Sequence, residues 1–229
     1  MDKLPRHFEE QLEKIGETIL RMGGLVEEAI GKALHALVDR DSEAARHVIA
    51  SDAEVDRLDL EIDHLCLEAL ALQQPMARDL RFITTAMKIT TDLERVADLA
   101  VNVAERAIEL NEEPQLKPFI DIPIMARRAQ EMVSEALNAF VRRDAAAARS
   151  VIAMDDDLDR RMEQIFRELL SFMLEDPRTT TRAIRLTFVA KYFERMGDQA
   201  TNIGEQVVFM AEGRVIKHPA VAEIGDRQG

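Results

Sequence analysis

Leu12, Ile15, Ile19, Met22, Val26, Ile30, Ala33 and Leu37 step by three and four along the chain, the spacing of one apolar face on an α-helix. The pattern predicts a helix over residues 6–39. Asp41 and Ser42 interrupt it and supply an N-cap for a second helix over 42–72. Gln73-Gln74-Pro75 ends that helix, and a third follows over 76–110. Three long helices joined by tight turns predict an antiparallel bundle. Residues 111–123 then carry Pro114, Pro118 and Pro123 and read as a linker.

Beyond the linker the pattern starts again. Ala33-Leu34, Ala36, Val38 and Arg40-Asp41 return as Ala136-Leu137, Ala139, Val141 and Arg143-Asp144, and Val48-Ile49-Ala50-x-Asp52 returns as Val151-Ile152-Ala153-x-Asp155. Pro75 has its counterpart in Pro177. The offset is 103 in this part of the repeat and 100 further on, so about three residues are lost near the second turn. An ordered recurrence at this period predicts a duplicated unit. The expected fold is all-α, two tandem antiparallel three-helix bundles. The expected boundaries are 1–112 for the first bundle, 113–123 for the linker, 124–212 for the second bundle and 213–229 for a poorly ordered tail.

Composition narrows the function. Leu, Ala, Met, Glu and Arg dominate, and 47% of the 229 residues are hydrophobic, enough for a substantial core. A formal charge of -13 argues against nucleic acid and against an anionic membrane surface as partners. It leaves cations and basic protein surfaces. The single Cys66 cannot form an internal disulfide, which points to a reducing compartment. Its place on the apolar side of its helix makes it a core residue. The first six residues lack the apolar run of a signal peptide, and no apolar stretch is long enough to span a membrane.

The candidate chemistry lies in a twelve-residue stretch that occurs twice, from Glu94 to Glu105 and from Glu194 to Glu205. Both copies share Glu-Arg, an Asp four residues after the Glu, then Ala, Asn and Glu. At about 100° per residue, Glu94 and Asp98 fall roughly one turn apart on one face, as do Glu194 and Asp198. The same acidic spacing occurs in the second helix of each repeat, as Asp52/Asp56 and Asp155/Asp159. Asp52/Asp56 and Glu94/Asp98 lie equidistant from Pro75, and the second set is nearly equidistant from Pro177. In an antiparallel hairpin such positions lie side by side. Counting in sevens from Glu94 reaches Met87 and Leu80, and from the Asp155 pair Met162, Phe166 and Leu169, so the acids continue an apolar stripe.

Partly desolvated carboxylates at one level repel and take up protons unless a multivalent cation sits among them. All-oxygen donors suit hard ions such as Mg²⁺, Mn²⁺ or iron. Asn102 and Asn202, one turn on, offer further carbonyl oxygens. A lone acid pair at this spacing is a solvated helix face. Finding the register match twice turns the reading towards a cation site, with Arg95 and Arg195 as the competing ion-pair partners. Glu61-x-x-His64 has di-iron spacing, yet its counterparts are Gln164 and Arg167, which excludes the paired motif such a centre needs. His7, His35, His47 and His218 have no partner at ligand spacing. The many Met residues read as adaptable core.

These features together resemble the PhoU family over about residues 4–212. The tandem three-helix repeat and the Glu94-Arg95-x-x-Asp98 and Glu194-Arg195-x-x-Asp198 motifs carry the resemblance. It implies two bundles side by side, a cytoplasmic location, homodimers and multinuclear metal clusters at Asp52, Asp56, Glu94 and Asp98 and at Asp155, Asp159, Glu194 and Asp198. The ions expected are divalent or trivalent: Mn, Fe or Mg. It also implies a negative regulator of the phosphate-starvation response and of phosphate uptake, linking the ATPase subunit of a phosphate ABC transporter to a sensor histidine kinase. On this reading the protein is an adaptor and not an enzyme. The alternatives are a metal-dependent phosphohydrolase, a metal-binding accessory protein of another transporter, and a plain metal buffer. A hydrolase needs basic residues near the acids. Arg78, Arg81, Arg182 and Arg185 lie roughly 13 to 24 Å away along the helices, at about 1.5 Å per residue.

Overall fold

Each apolar stripe becomes a helix, and each turn signal ends one. A computed structural model describes residues 6–216, with side chains from residue 8. The helices are α1 (Arg6–Val38), α2 (Ser42–Gln73), α3 (Ala77–Asn111), α4 (Asp121–Arg142), α5 (Ala145–Glu175) and α6 (Thr180–Glu212), with one 3-10 turn at Pro177–Thr179. No strand occurs among the described residues. The all-α fold and the paired three-helix bundles are those the hydrophobic pattern predicts. Residues 1–5 and 217–229 lie outside the described residues. So therefore do the reading of the N-terminus, His218 and most of the expected tail.

The duplication is visible in the caps. Asp41 accepts from Glu43 N at 3.0 Å and Ala44 N at 2.9 Å; Asp144 accepts from Ala146 N at 2.9 Å and Ala147 N at 3.0 Å. Each pair of bonds satisfies amides that a helix start leaves open. The residue before each cap is an arginine in the left-handed region, Arg40 at φ 58° and Arg143 at φ 51°.

α1 and α4 are two-faced helices that cover one side of their bundles. α3 and α6 bury wider arcs, because each packs both within its own bundle and against the other. Ala97, Ala100, Ala104 and Ala107 give α3 the small surface this requires, and Gly197, Ala200 and Gly204 do so for α6. The linker is tied down. Arg185 pairs with Glu109 at 2.8 Å and Glu113 at 2.5 Å, Arg182 donates to Pro114 O at 2.9 Å, and Lys117 pairs with Glu168. Pro123 falls in the first turn of α4, where a missing N–H costs no helical bond.

The glycines of α6 set how closely α5 approaches. A Cβ at Gly204 would lie 3.1 Å from the Ala148 carbonyl oxygen and 3.2 Å from Ile152 Cγ1, and a backbone oxygen cannot rotate away. Gly204→Val is therefore expected to cost about 1–3 kcal/mol by overpacking. Gly16 on α1 meets nothing within 4 Å. Gly16→Ala should gain about 0.5–1 kcal/mol from helix propensity alone. Urea unfolding of both variants checks the pair. Equal effects at the two positions would contradict the close approach of α5 and α6.

Candidate functional site

The acidic motifs lie where α2 meets α3 and where α5 meets α6. In the second bundle Gly197 brings the helices together. Its Cβ position is 3.3 Å from Asp155 Oδ1 and overlaps Leu158 Cδ1. Asp155 therefore sits at the level between Glu194 and Asp198, the register expected from the shared distance to Pro177. Burial and the charges of Asp198, Asp159 and Glu194 push the Asp155 carboxyl up to about 6. Burial and Glu194 also raise Asp198, with Lys191 and Arg195 opposing.

The first bundle repeats the arrangement. Burial, then Asp56 and Asp98, raise Asp52; burial, then Asp98, Asp59 and Asp56, raise Glu94. The carboxylates of α2 and α3 thus act on each other across the helix pair, as the distances to Pro75 require.

The eight acids differ in exposure. Glu194 is buried, Asp52, Glu94, Asp155 and Asp198 are half-buried, and Asp56, Asp98 and Asp159 are exposed. Two buried oxygens, Asp155 Oδ1 and Glu194 Oε2, have no hydrogen-bond partner among the described residues. Such oxygens are costly unless a cation or a proton satisfies them. Their donor chemistry, all oxygen and mutually repelling, fits a hard ion. Among the described residues, however, no three His, Cys, Asp or Glu side chains converge on a point that holds one ion. Asn102 and Asn202 are half-buried one turn further along the same helices.

The arginines beside the motifs do little pairing with them. Arg95 reaches Asp92 at 3.6 Å, and its charge only partly offsets the upward shift of Glu94. Arg182 and Arg185 are committed to the linker, and Arg81 donates to Met210 O at 3.3 Å. Cys66 is fully buried, and burial pushes its thiol up to about 12, so it stays protonated as a core residue.

Two features of the site lie outside the repeated acidic motifs. Lys191 pairs with Glu194 at 2.5 Å, which places an exposed cation at the edge of the second cluster. Its counterpart in the first bundle is Thr91. In the first bundle the acids continue along α2: Asp59 is raised by burial and then by Asp63 and Asp56. Their counterparts in the second bundle are Met162 and Phe166. The first groove is thus a longer acidic run, and the second is acidic at one end and apolar at the other. The spacing of Asp52, Asp56, Asp59 and Asp63 carries this signal in the sequence. The Lys191 contact follows only from its i, i+3 offset to Glu194.

The family model described as the PhoU domain matches residues 19–107 and 122–207. A relative from Aquifex aeolicus, named a phosphate-specific transport system accessory protein PhoU homolog, is 42% identical over 94% of this chain and 98% of its own. The crystal structure of PhoU from Pseudomonas aeruginosa superposes with a TM-score of 0.87 at 39% identity, over 90% of this chain and all of that one. The phosphate transport system regulatory protein PhoU from Streptococcus pneumoniae gives 0.86 at 27% identity, over 92% of this chain and all of that one.

Proposed function

This chain belongs to the PhoU family, and from that premise we propose that it is an accessory regulator of phosphate transport, an adaptor that represses the phosphate-starvation response. It would dock on the ATPase subunit of a phosphate ABC transporter and on a sensor histidine kinase, in the cytoplasm and as a homodimer. Within this reading Asp52, Asp56, Glu94 and Asp98 hold one group of ions, and Asp155, Asp159, Glu194 and Asp198 the other. A bound Mn, Fe or Mg ion supplies positive charge that cancels the repulsion among the carboxylates. The residues of this chain tie α2 to α3 and α5 to α6 at that level, and so set the shape of the helical faces a partner meets.

The observation that carries the adaptor reading is that three of the four turn-end arginines, Arg81, Arg182 and Arg185, are held by the fold. A phosphohydrolase needs cations beside its metal to hold substrate. Arg182 and Arg185 instead pin the linker, Arg81 caps the end of α6, and Lys191 is engaged by Glu194. Long rigid helices with a strongly acidic surface suit docking to basic partner surfaces, with association weakened by salt. No helix among the described residues is long and apolar enough to cross a membrane. Membrane proximity then comes from the transporter.

Deletion in the host tests the proposal. A starvation-gene reporter should stay on in rich phosphate, and the ATPase subunit should co-purify with the wild-type chain at low salt. Alanine at Glu94, Asp98, Glu194 and Asp198 should derepress the reporter in part. Normal repression in the deletion strain, with no second copy of the gene, would overturn the adaptor and favour the hydrolase.

A further inference from the structure

Arg143 is the repeat counterpart of Arg40, and the two guanidiniums have different fates. Arg40 donates to the end of α3, to Asn111 O at 2.7 Å and Glu113 O at 2.6 Å. The matching position at the end of α6 is served by Arg81, which reaches Met210 O. Arg143 lies elsewhere. It turns instead over the Phe82 ring, 5.2 Å from its centre, into a cleft of about 770 Å³ between α1, the start of α3 and the end of α4. Arg78 lines the same cleft. Burial and the charge of Arg78 hold the Arg143 guanidinium below its usual range, with Asp79 opposing. Asp79 lines the cleft beside the two arginines and sets one carboxylate against their charge.

The opposite wall has the opposite character. Glu9, Glu13 and Glu17 are exposed on α1, and Gly16 between the last two leaves the cleft floor open. Leu12 and Leu20 flank it. A volume of this size fits a ligand of several hundred cubic ångströms and far exceeds a lone phosphate. The walls call for an anion at one end, donors at the other and a flat body between. Two arginines in one place recognise phosphoryl oxygens by charge-assisted forks.

We propose that this cleft binds a nucleotide: its phosphates lie between Arg78 and Arg143, its base lies over Gly16 against Leu12 and Leu20, and the amino group of the base faces Glu13 and Glu17. The site is separate from the acidic clusters and does not depend on them.

The test is calorimetric titration of the full chain with ADP, AMP and inorganic phosphate, in chelator so that no metal bridges phosphate to the clusters. Three variants accompany it: Arg78→Gln; Arg143→Gly, which keeps the left-handed turn; and Gly16→Leu, which fills the floor where nothing is displaced. The expected result is one saturable ADP site, weakened about tenfold or more in each arginine variant and abolished by Gly16→Leu. Phosphate should bind more weakly than ADP and be indifferent to Gly16→Leu. No ADP binding at millimolar concentration, or equal binding in all three variants, would overturn the proposal. Phosphate binding as tightly as ADP would overturn the nucleotide assignment. A Gly16→Leu chain that shifts in sedimentation while wild type binds no ADP would assign the cleft to a second copy.

Discussion

Chelator-treated protein is expected to unfold at a temperature roughly 5–10 °C higher once Mn²⁺ is added to about 100 times its dissociation constant. An ion that binds only the folded state contributes about 2.7 kcal/mol at that excess, and a chain of this length gains about 2–4 °C per kcal/mol. The free energy comes from offsetting the burial, and then the mutual repulsion, that raise Asp52, Glu94, Asp155 and Asp198. The sign without metal follows from Asp155. Its carboxyl titrates near 3.8 when unfolded and at about 6 when folded, so the folded chain holds the extra proton between those values. Unfolding releases it. The Asp155 contribution to stability is therefore complete below about pH 4 and is lost as pH rises through about 6. Asp155→Asn in chelator should be more stable than wild type at pH 7 by about 1–2 kcal/mol, a figure discounted for partial exposure. The excess should vanish by about pH 4. A variant less stable than wild type at pH 7 would show that Asp155 is held by a favourable partner. An Mn²⁺ shift that survives removal of all eight acids would take the ions elsewhere.

Phe193→Ala should cost about 3–5 kcal/mol, a fall of roughly 6–20 °C. Phe193 is fully buried and immediately precedes Glu194 on α6. The substitution leaves a cavity in the second bundle beside the residue that carries the buried acid. Phe166, 46% exposed on α5, is the control, and Phe166→Ala should change stability by less than about 0.5 kcal/mol. Ion binding by the second cluster should weaken in Phe193→Ala while the first cluster keeps its ions. Thermal unfolding with and without Mn²⁺ reads both effects. A loss below about 1 kcal/mol would mean that the second bundle closes around the missing ring.

The clusters also differ in what they demand. Lys191 supplies one positive charge to the second, while Asp59 and Asp63 extend the first. The unmatched negative charge is thus greater in the first groove.

Much of this was legible in the residues. Periods of three and four gave six helices, because an amphipathic face must repeat at the helical pitch whatever it packs against. Asp41 and Asp144 marked their caps because an N-cap bond is local, made within three residues. The level of the four acid pairs followed from equal distances to a turn, since a hairpin fixes which positions lie opposite. Sequence alone therefore determined the helices, the duplication and the pairing of Asp52, Asp56, Glu94 and Asp98 and of Asp155, Asp159, Glu194 and Asp198. Tertiary structure decided what no local rule contains. How far each carboxylate is buried depends on how closely the helices approach, which Gly197 sets in the second bundle. Arg40 and Arg143 occupy the same motif and the same left-handed turn, yet one closes a helix end and the other enters a cleft. Arg81 reaches the Met210 carbonyl from 129 residues away, a contact that exists only once α3 and α6 are packed together.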